Sequence, residues 1–132
     1  MFNHLGLKFN HGVEIGARLA YLGHYKRTQD PKILEIANDE LEHQKQLKKI
    51  LNHYGYNPSK IINGGFLIIG SFVFLMCQVS PIWSLNLVAC VLEKFAVVSY
   101  KKLALNYKEF KSELISMEQA EAEHEIYFKT KK

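Results

Sequence analysis

The sequence predicts an all-α fold: a four-helix bundle built from two helical hairpins, with an extra apolar helix in the crossover between them. Three observations carry this reading. Each of the three prolines follows a residue that caps helices well, in Asp30-Pro31, Asn57-Pro58 and Ser80-Pro81. Proline suits the first helical position, where its missing N–H has no helical partner anyway. Apolar residues recur at helical spacing between these starts. No alternating run bounded by turn residues competes for a strand.

The elements follow in order. A first helix is expected over 9–28, and a second over 31–54, begun by Asp30-Pro31 and stopped by Gly55. A third covers 58–78 and a fourth 81–105, each opened by its proline. A fifth covers 107–129, where Asn106 caps and Glu109 reaches back as in a capping box. The whole chain, 1–132, reads as a single domain: hairpin 9–54, apolar crossover helix 58–78, hairpin 81–129.

Composition narrows the class. With 132 residues, 48% hydrophobic and 23% charged, the chain is long and apolar enough to bury a core. The net charge of +4 is mild, and the lysines are scattered without interleaved aromatic residues. That pattern argues against a nucleic-acid partner and leaves attraction to an anionic membrane surface open. Cys77 and Cys90 have no C-x-x-C spacing and sit in apolar sequence, as reduced core cysteines do. The opening residues, MFNHLGLKFNH, lack the order of a signal peptide. A cytoplasmic, peripheral membrane location is therefore expected.

Between Lys60 and Glu93 lie 32 residues without a charge, split by Pro81. Such a run is long enough for a membrane span. The preferred reading is a pair of core or membrane-contacting helices, with peripheral contact through residues 58–92. An exposed apolar helix also favours a homodimer.

The apolar stripes then single out particular charges. In 31–54, Ile33, Ile36, Ala37, Leu47, Ile50, Leu51 and Tyr54 share one face, and Glu40 and His43 fall on it. Glu35, Asp39, Glu42, Lys45, Gln46 and Lys49 take the wet face. In 107–129 the inward row runs Phe110, Leu114, Met117, Glu121, His124, Phe128. Glu118 and Glu125 flank it, and Glu123 points to solvent. Burying a carboxylate without a partner is costly, so two helices that do so at matching places suggest a common partner.

Two more glutamates stand in apolar settings: Glu14 in GVEIGARLAY and Glu93 in VACVLEKFAVV. The order is Glu14, then Glu40-x-x-His43, then Glu93, then Glu121-x-x-His124, with lone Glu to Glu-x-x-His separations of 26 and 28. In each hairpin the lone glutamate and its Glu-x-x-His pair are equidistant from the turn, near residue 28 and near 107–108. Both hairpins therefore bring three ligands to one level. Four carboxylates and two imidazoles facing into a helical bundle form a dinuclear carboxylate site for iron, with manganese as an alternative. His4, His11, His24 and His53 are expected at the surface or behind the ligands, with His24 the nearest to joining them.

Several stretches together resemble the demethoxyubiquinone hydroxylases, a family within the ferritin-like superfamily. They are HGVEIGARLAY, with Tyr21 seven residues after Glu14; DELEH; GGFLIIGSFVFL leading to VACVLE; Tyr100, seven residues after Glu93; and EAEH. Ser99 stands where the family usually has histidine, and the chain ends eight residues after His124, where members continue with a further helix. The resemblance implies a monooxygenase that activates O2 at two iron ions and hydroxylates a membrane quinone ring. It gives Tyr21 and Tyr100 catalytic roles in orienting substrate or carrying electrons. It also implies an apolar route for an isoprenoid tail, along which Phe66, Phe72, Phe74 and Trp83 are candidates. The alternatives are a ferritin- or rubrerythrin-like ferroxidase or peroxidase, and a metal-binding bundle without enzyme activity.

Overall fold

The computed structural model describes residues 4–131, all-α with no strand among them. Five α-helices form: α1 (Leu5–Thr28), α2 (Pro31–His53), α3 (Lys60–Cys77), α4 (Ile82–Asn106) and α5 (Lys111–Thr130), with a short 3-10 turn, Lys108–Phe110, before the last.

Most boundaries follow local chemistry. Asp30 is extended, and its Oδ1 accepts the Lys32 N–H at 3.0 Å, with Pro31 at the first helical position. At the other end of α2, Gly55 takes φ +79, a left-handed conformation that costs glycine nothing. Its N–H donates to the Asn52 carbonyl at 3.0 Å, and the Tyr56 N–H reaches the Leu51 carbonyl at 3.0 Å. This crossed pair is a Schellman motif.

Several boundaries differ from the sequence expectation. First, α1 begins at Leu5 rather than at 9, because the fully buried Leu7 draws this turn into the core and Asn10 Nδ2 donates to the Gly6 carbonyl at 2.8 Å. Second, α3 begins at Lys60 because Ser59, not Asn57, is its cap; Ser59 Oγ accepts the Ile62 N–H at 3.2 Å. Third, Asn106 is the last residue of α4 rather than the cap of the next helix. The Tyr107 N–H still donates to the Leu103 carbonyl, and the chain bends at Tyr107 (φ −121, ψ 71). No side chain caps the start of α5. Likewise Pro81 stands one residue ahead of α4, its carbonyl accepting the N–H groups of Ser84 and Leu85.

The helices divide into two compact units, one ending at Val79 and one beginning at Ser80. In the first, α1 packs against both α2 and α3. Its α2-facing core includes Leu7, Ile33, Ile36, Leu47, Ile50 and Leu51. The α3 contact is unusually close, because glycines on both helices remove the side chains that would separate the backbones. A Cβ on Gly23 would lie 2.6 Å from Phe74 Cα, and one on Gly70 would lie 2.9 Å from Gly16 Cα. Cys77 Sγ donates to the Ala20 carbonyl at 3.7 Å and Gln78 Nε2 to the Gly23 carbonyl at 3.0 Å, fastening the end of α3 to α1. Phe66 belongs to this contact, edge-on to Phe9 at 5.3 Å, and the Phe74 backbone sets its closest approach.

In the second unit α4 packs against α5 around Tyr100, Leu103, Leu114, Met117 and Phe128. Both cysteines are free thiols. The uncharged run yields two helices, α3 and α4, long and apolar enough by length and composition to cross a membrane. In α3 only Gly70 and Cys77 are buried, while Ile61, Leu67, Ile68, Ile69, Phe72, Leu75 and Met76 are exposed.

Candidate metal centre

In the first unit, α1 contributes Glu14 and α2 contributes Glu40 and His43 from successive turns. All three are buried. His43 Nδ1 lies 3.8 Å from Glu40 Oε2 and 3.9 Å from Glu14 Oε2. In the second unit, α4 contributes Glu93 while α5 contributes Glu121 and His124, again buried. His124 Nδ1 lies 3.3 Å from Glu121 Oε2 and 3.6 Å from Glu93 Oε2. Within each triad, one ligand atom per residue falls within 4.8 Å of the others.

Those distances test the fit to a metal. Nitrogen and oxygen ligands sit roughly 2.0–2.2 Å from a first-row ion, so two ligands of one ion lie at most about 4.2 Å apart. All four Nδ1–Oε2 distances meet that limit. The electrostatics point the same way. Two carboxylate charges about 4.8 Å apart repel by roughly 3–4 kcal/mol at an effective dielectric constant near 20. A divalent cation between them reverses the sign of that interaction. The triads thus form buried Glu/His clusters with the donor chemistry to bind a metal ion.

Each side chain is placed by simple helical arithmetic. Glu40 and His43 replace apolar residues in the row Ile33, Ile36, Ala37, Leu47, Ile50, and that entire row is buried. Glu121 and His124 do the same in Leu114, Met117, Phe128. Phe110, expected at the head of this row, lies in the 3-10 turn and is only half-buried. Glu123 is exposed, and Glu118 and Glu125 are half-buried at the edges of the row.

Tyr21 and Tyr100 are both buried, two turns beyond Glu14 and Glu93 on the same helix faces. Among the remaining histidines, His53 is exposed, His4 is half-buried and stacked on Tyr54 at 4.8 Å, and His24 is buried outside the triads. His11, expected at the surface or behind the ligands, is buried; its Nδ1–H donates to Asn63 Oδ1 at 3.1 Å, joining α1 to α3. Burial holds the His11 pKa below the ordinary imidazole value, the Asn63 bond pulls it back up, and the Lys48 charge lowers it further.

Asn86 is also buried, two turns before Glu93 on the same α4 face. Of the tail-route candidates, Phe72 and Trp83 are exposed, whereas Phe66 and Phe74 are half-buried against α1. Compared with protein-family models, curated proteins and solved structures, the chain matches none.

Proposed function

We propose that this chain is a membrane-associated di-iron monooxygenase of the quinone-hydroxylase type, with Glu14, Glu40, His43, Glu93, Glu121 and His124 as its metal ligands. One observation carries the reading: each of two hairpins, separate in sequence, buries its own triad of two glutamates and one histidine. Each triad alone offers three side chains, fewer than iron commonly takes. Carboxylates are donors that two iron ions could share, and two histidines would supply one imidazole for each ion. Manganese would be accepted by the same donors.

Two irons held this way would supply the oxygen activation for inserting one atom of O2 into a ring C–H bond, with two electrons from an external reductant and two protons taking the other atom to water. The protein residues prepare that chemistry. Glu14, Glu40, Glu93 and Glu121 would balance the charge of the ions, and His43 and His124 would offer them imidazole nitrogen. Ile36, Leu47, Leu114 and Met117 flank the ligands along their helices and limit water. Tyr21 and Tyr100 are positioned to orient a substrate ring or carry an electron. The exposed apolar side chains of α3 would rest on the bilayer, where a quinone on an isoprenoid tail is dissolved.

The test begins with metal. Protein loaded anaerobically with Fe(II) is expected to hold two irons per chain, to react with O2, and to hydroxylate a methoxy-benzoquinone when given a reductant. Two bound irons without quinone turnover would reject the hydroxylase reading. Iron content near zero in the wild type would reject the centre itself.

A further inference from the structure

The two hairpins repeat one design, so positions counted from the lone glutamate of each can be compared. On α1, the residues at −2, +2, +5 and +9 from Glu14 are Gly12, Gly16, Leu19 and Gly23, and α3 lies against all four. A Cβ on Gly12 would meet Ile62 and Phe66, one on Gly16 would meet Phe66, and one on Gly23 would meet Phe74. Leu19 Cβ faces Gly70 in the same way. The same offsets from Glu93 on α4 give Val91, Phe95, Val98 and Lys102. No helix covers these: all four are exposed, Phe95 by 66%. Among the described residues, the second hairpin lacks the helix that covers this face in the first.

The open face has the pattern of a helix-pairing seam. Val88, Val91, Phe95, Val98, Lys102 and Leu105 follow one another at alternating steps of three and four residues. That is the 3.5-residue period of a two-stranded coiled coil. Its five apolar members are each more than half exposed. Lys94, Lys101 and Lys102 supply the polar rim of a protein interface, which α3 lacks. Unlike α1, α4 has no glycine, so a partner must interdigitate side chains rather than press backbone on backbone.

We propose that this stripe is a homodimer interface on which α4 pairs antiparallel with α4 of a second copy. A two-fold axis level with Glu93 sets Val91 of each copy opposite Phe95 of the other, and Val88 opposite Val98. Lys101 and Lys102 then lie beside Leu87 and Ser84, in the uncharged first half of the helix. A parallel pair would instead set both lysines against their own counterparts, so charge favours the antiparallel one. Only Lys94, among the lysines of α4, meets its counterpart, at the exposed edge. With Leu87 and Leu92 flanking the stripe, pairing would remove roughly 1,200–1,400 Å² from water in total, against about 1,200–2,000 Å² for stable interfaces. None of these side chains belongs to the triads, so the proposal stands apart from the hydroxylase reading.

The experiment uses the full chain carrying Ile68→Glu and Phe72→Glu, which makes the exposed surface of α3 polar and leaves α4 intact. Sedimentation velocity in detergent-free buffer is expected to show a dimer that dissociates on dilution. Adding Phe95→Lys or, separately, Val98→Lys should weaken it at least about tenfold, because each buries a charge in an apolar seam. Circular dichroism should show unchanged helix content in both. Val91→Glu alone should also weaken the dimer. Combined with Phe95→Lys it sets opposite charges across the axis, and most of the affinity should return. A background protein that is monomeric at every concentration would overturn the proposal, as would a dimer indifferent to Phe95→Lys and Val98→Lys. Failure of the combined variant to recover would overturn the antiparallel register and with it the proposal. Loss of vesicle binding by Phe95→Lys in the wild-type chain, with no dimer at any concentration, would assign the stripe to lipid instead.

Discussion

At the scale of the residue, the metal ligands are distinguishable from ordinary buried ion pairs because metal-free and loaded protein should answer a substitution in opposite directions. Glu121→Gln removes one of two like charges in its triad and keeps the shape and an oxygen facing His124, 3.3 Å away in the wild type. Metal-free Glu121→Gln is therefore expected to be more stable than wild type by about 1–2 kcal/mol, since relieving buried like charge is favourable. Iron binding should fall to one ion or fewer per chain. Glu123→Ala, an exposed neighbour, should change neither property. Thermal melts with and without Fe(II), together with iron analysis, decide the matter; a destabilised metal-free Glu121→Gln would mark Glu121 as a structural partner of His124 instead. His11 gives a second residue-level expectation. Its folded pKa is depressed below 6.5, chiefly by burial. The unfolded chain therefore takes up its proton first as pH falls, and the stability contribution is complete above about 6.5 and lost below it. Urea melts from pH 7 to pH 5 should show a smaller loss of stability in His11→Gln than in wild type.

At the scale of the element, helix placement was legible wherever one local interaction decides it. Asp30-Pro31 and Gly55 bound α2 as their chemistry requires, and the inward rows are buried from Ile33 to Leu51 in α2 and from Leu114 to Phe128 in α5, with their glutamates and histidines in place; Tyr54 and Phe110, at the ends of these rows, are only half-buried. Legibility failed where two local signals compete. Asn57-Pro58 and Ser59 both offer a helix start, and the serine prevails; Asn106 resembles a cap, yet α4 continues through it to a bend at Tyr107. The candidate site was readable because its ligands are charges misplaced on apolar rows. The close contact of α1 with α3 depends on backbone proximity, which periodicity does not encode. Its consequence is testable: a Cβ on Gly23 meets the Phe74 backbone at 2.6 Å, and a backbone atom cannot rotate away. Gly23→Ala is expected to cost about 1–3 kcal/mol through overpacking, despite alanine's better helix propensity. Gly64→Ala, on α3 where a Cβ meets nothing within 4 Å, is expected to be neutral or stabilising. Chemical denaturation of the two variants gives the comparison directly.

At the scale of the whole molecule, the exposed apolar surface is the property that most needs a physical account. A surface helix in water ordinarily has a polar side, but α3 carries no charge between Lys60 and its end at Cys77, and its exposed residues are overwhelmingly aliphatic or aromatic. Ile68 is 73% exposed and Phe72 62%, and Trp83 at the start of α4 is 66% exposed. Full burial of a large apolar side chain is worth roughly 1.5–3 kcal/mol, so immersing even a few of them outweighs modest binding costs. A protein partner normally presents a polar rim around an apolar centre, and α3 has little to satisfy one. Lipid asks for no rim, and the chain's net charge of +4 adds attraction to anionic headgroups. The protein is therefore expected to sediment with vesicles containing anionic phospholipid, with Trp83 fluorescence shifting to the blue as its ring leaves water. The double variant Ile68→Glu, Phe72→Glu places two charges on the exposed surface of α3, away from the glycine contact with α1. It should lose most vesicle binding while keeping the wild-type iron content and melting temperature. Raising the salt should weaken wild-type binding only in part, because the apolar contribution is not screened. Concentration-dependent self-association without vesicle binding, abolished by the same two substitutions, would instead assign this surface to a second copy of the chain.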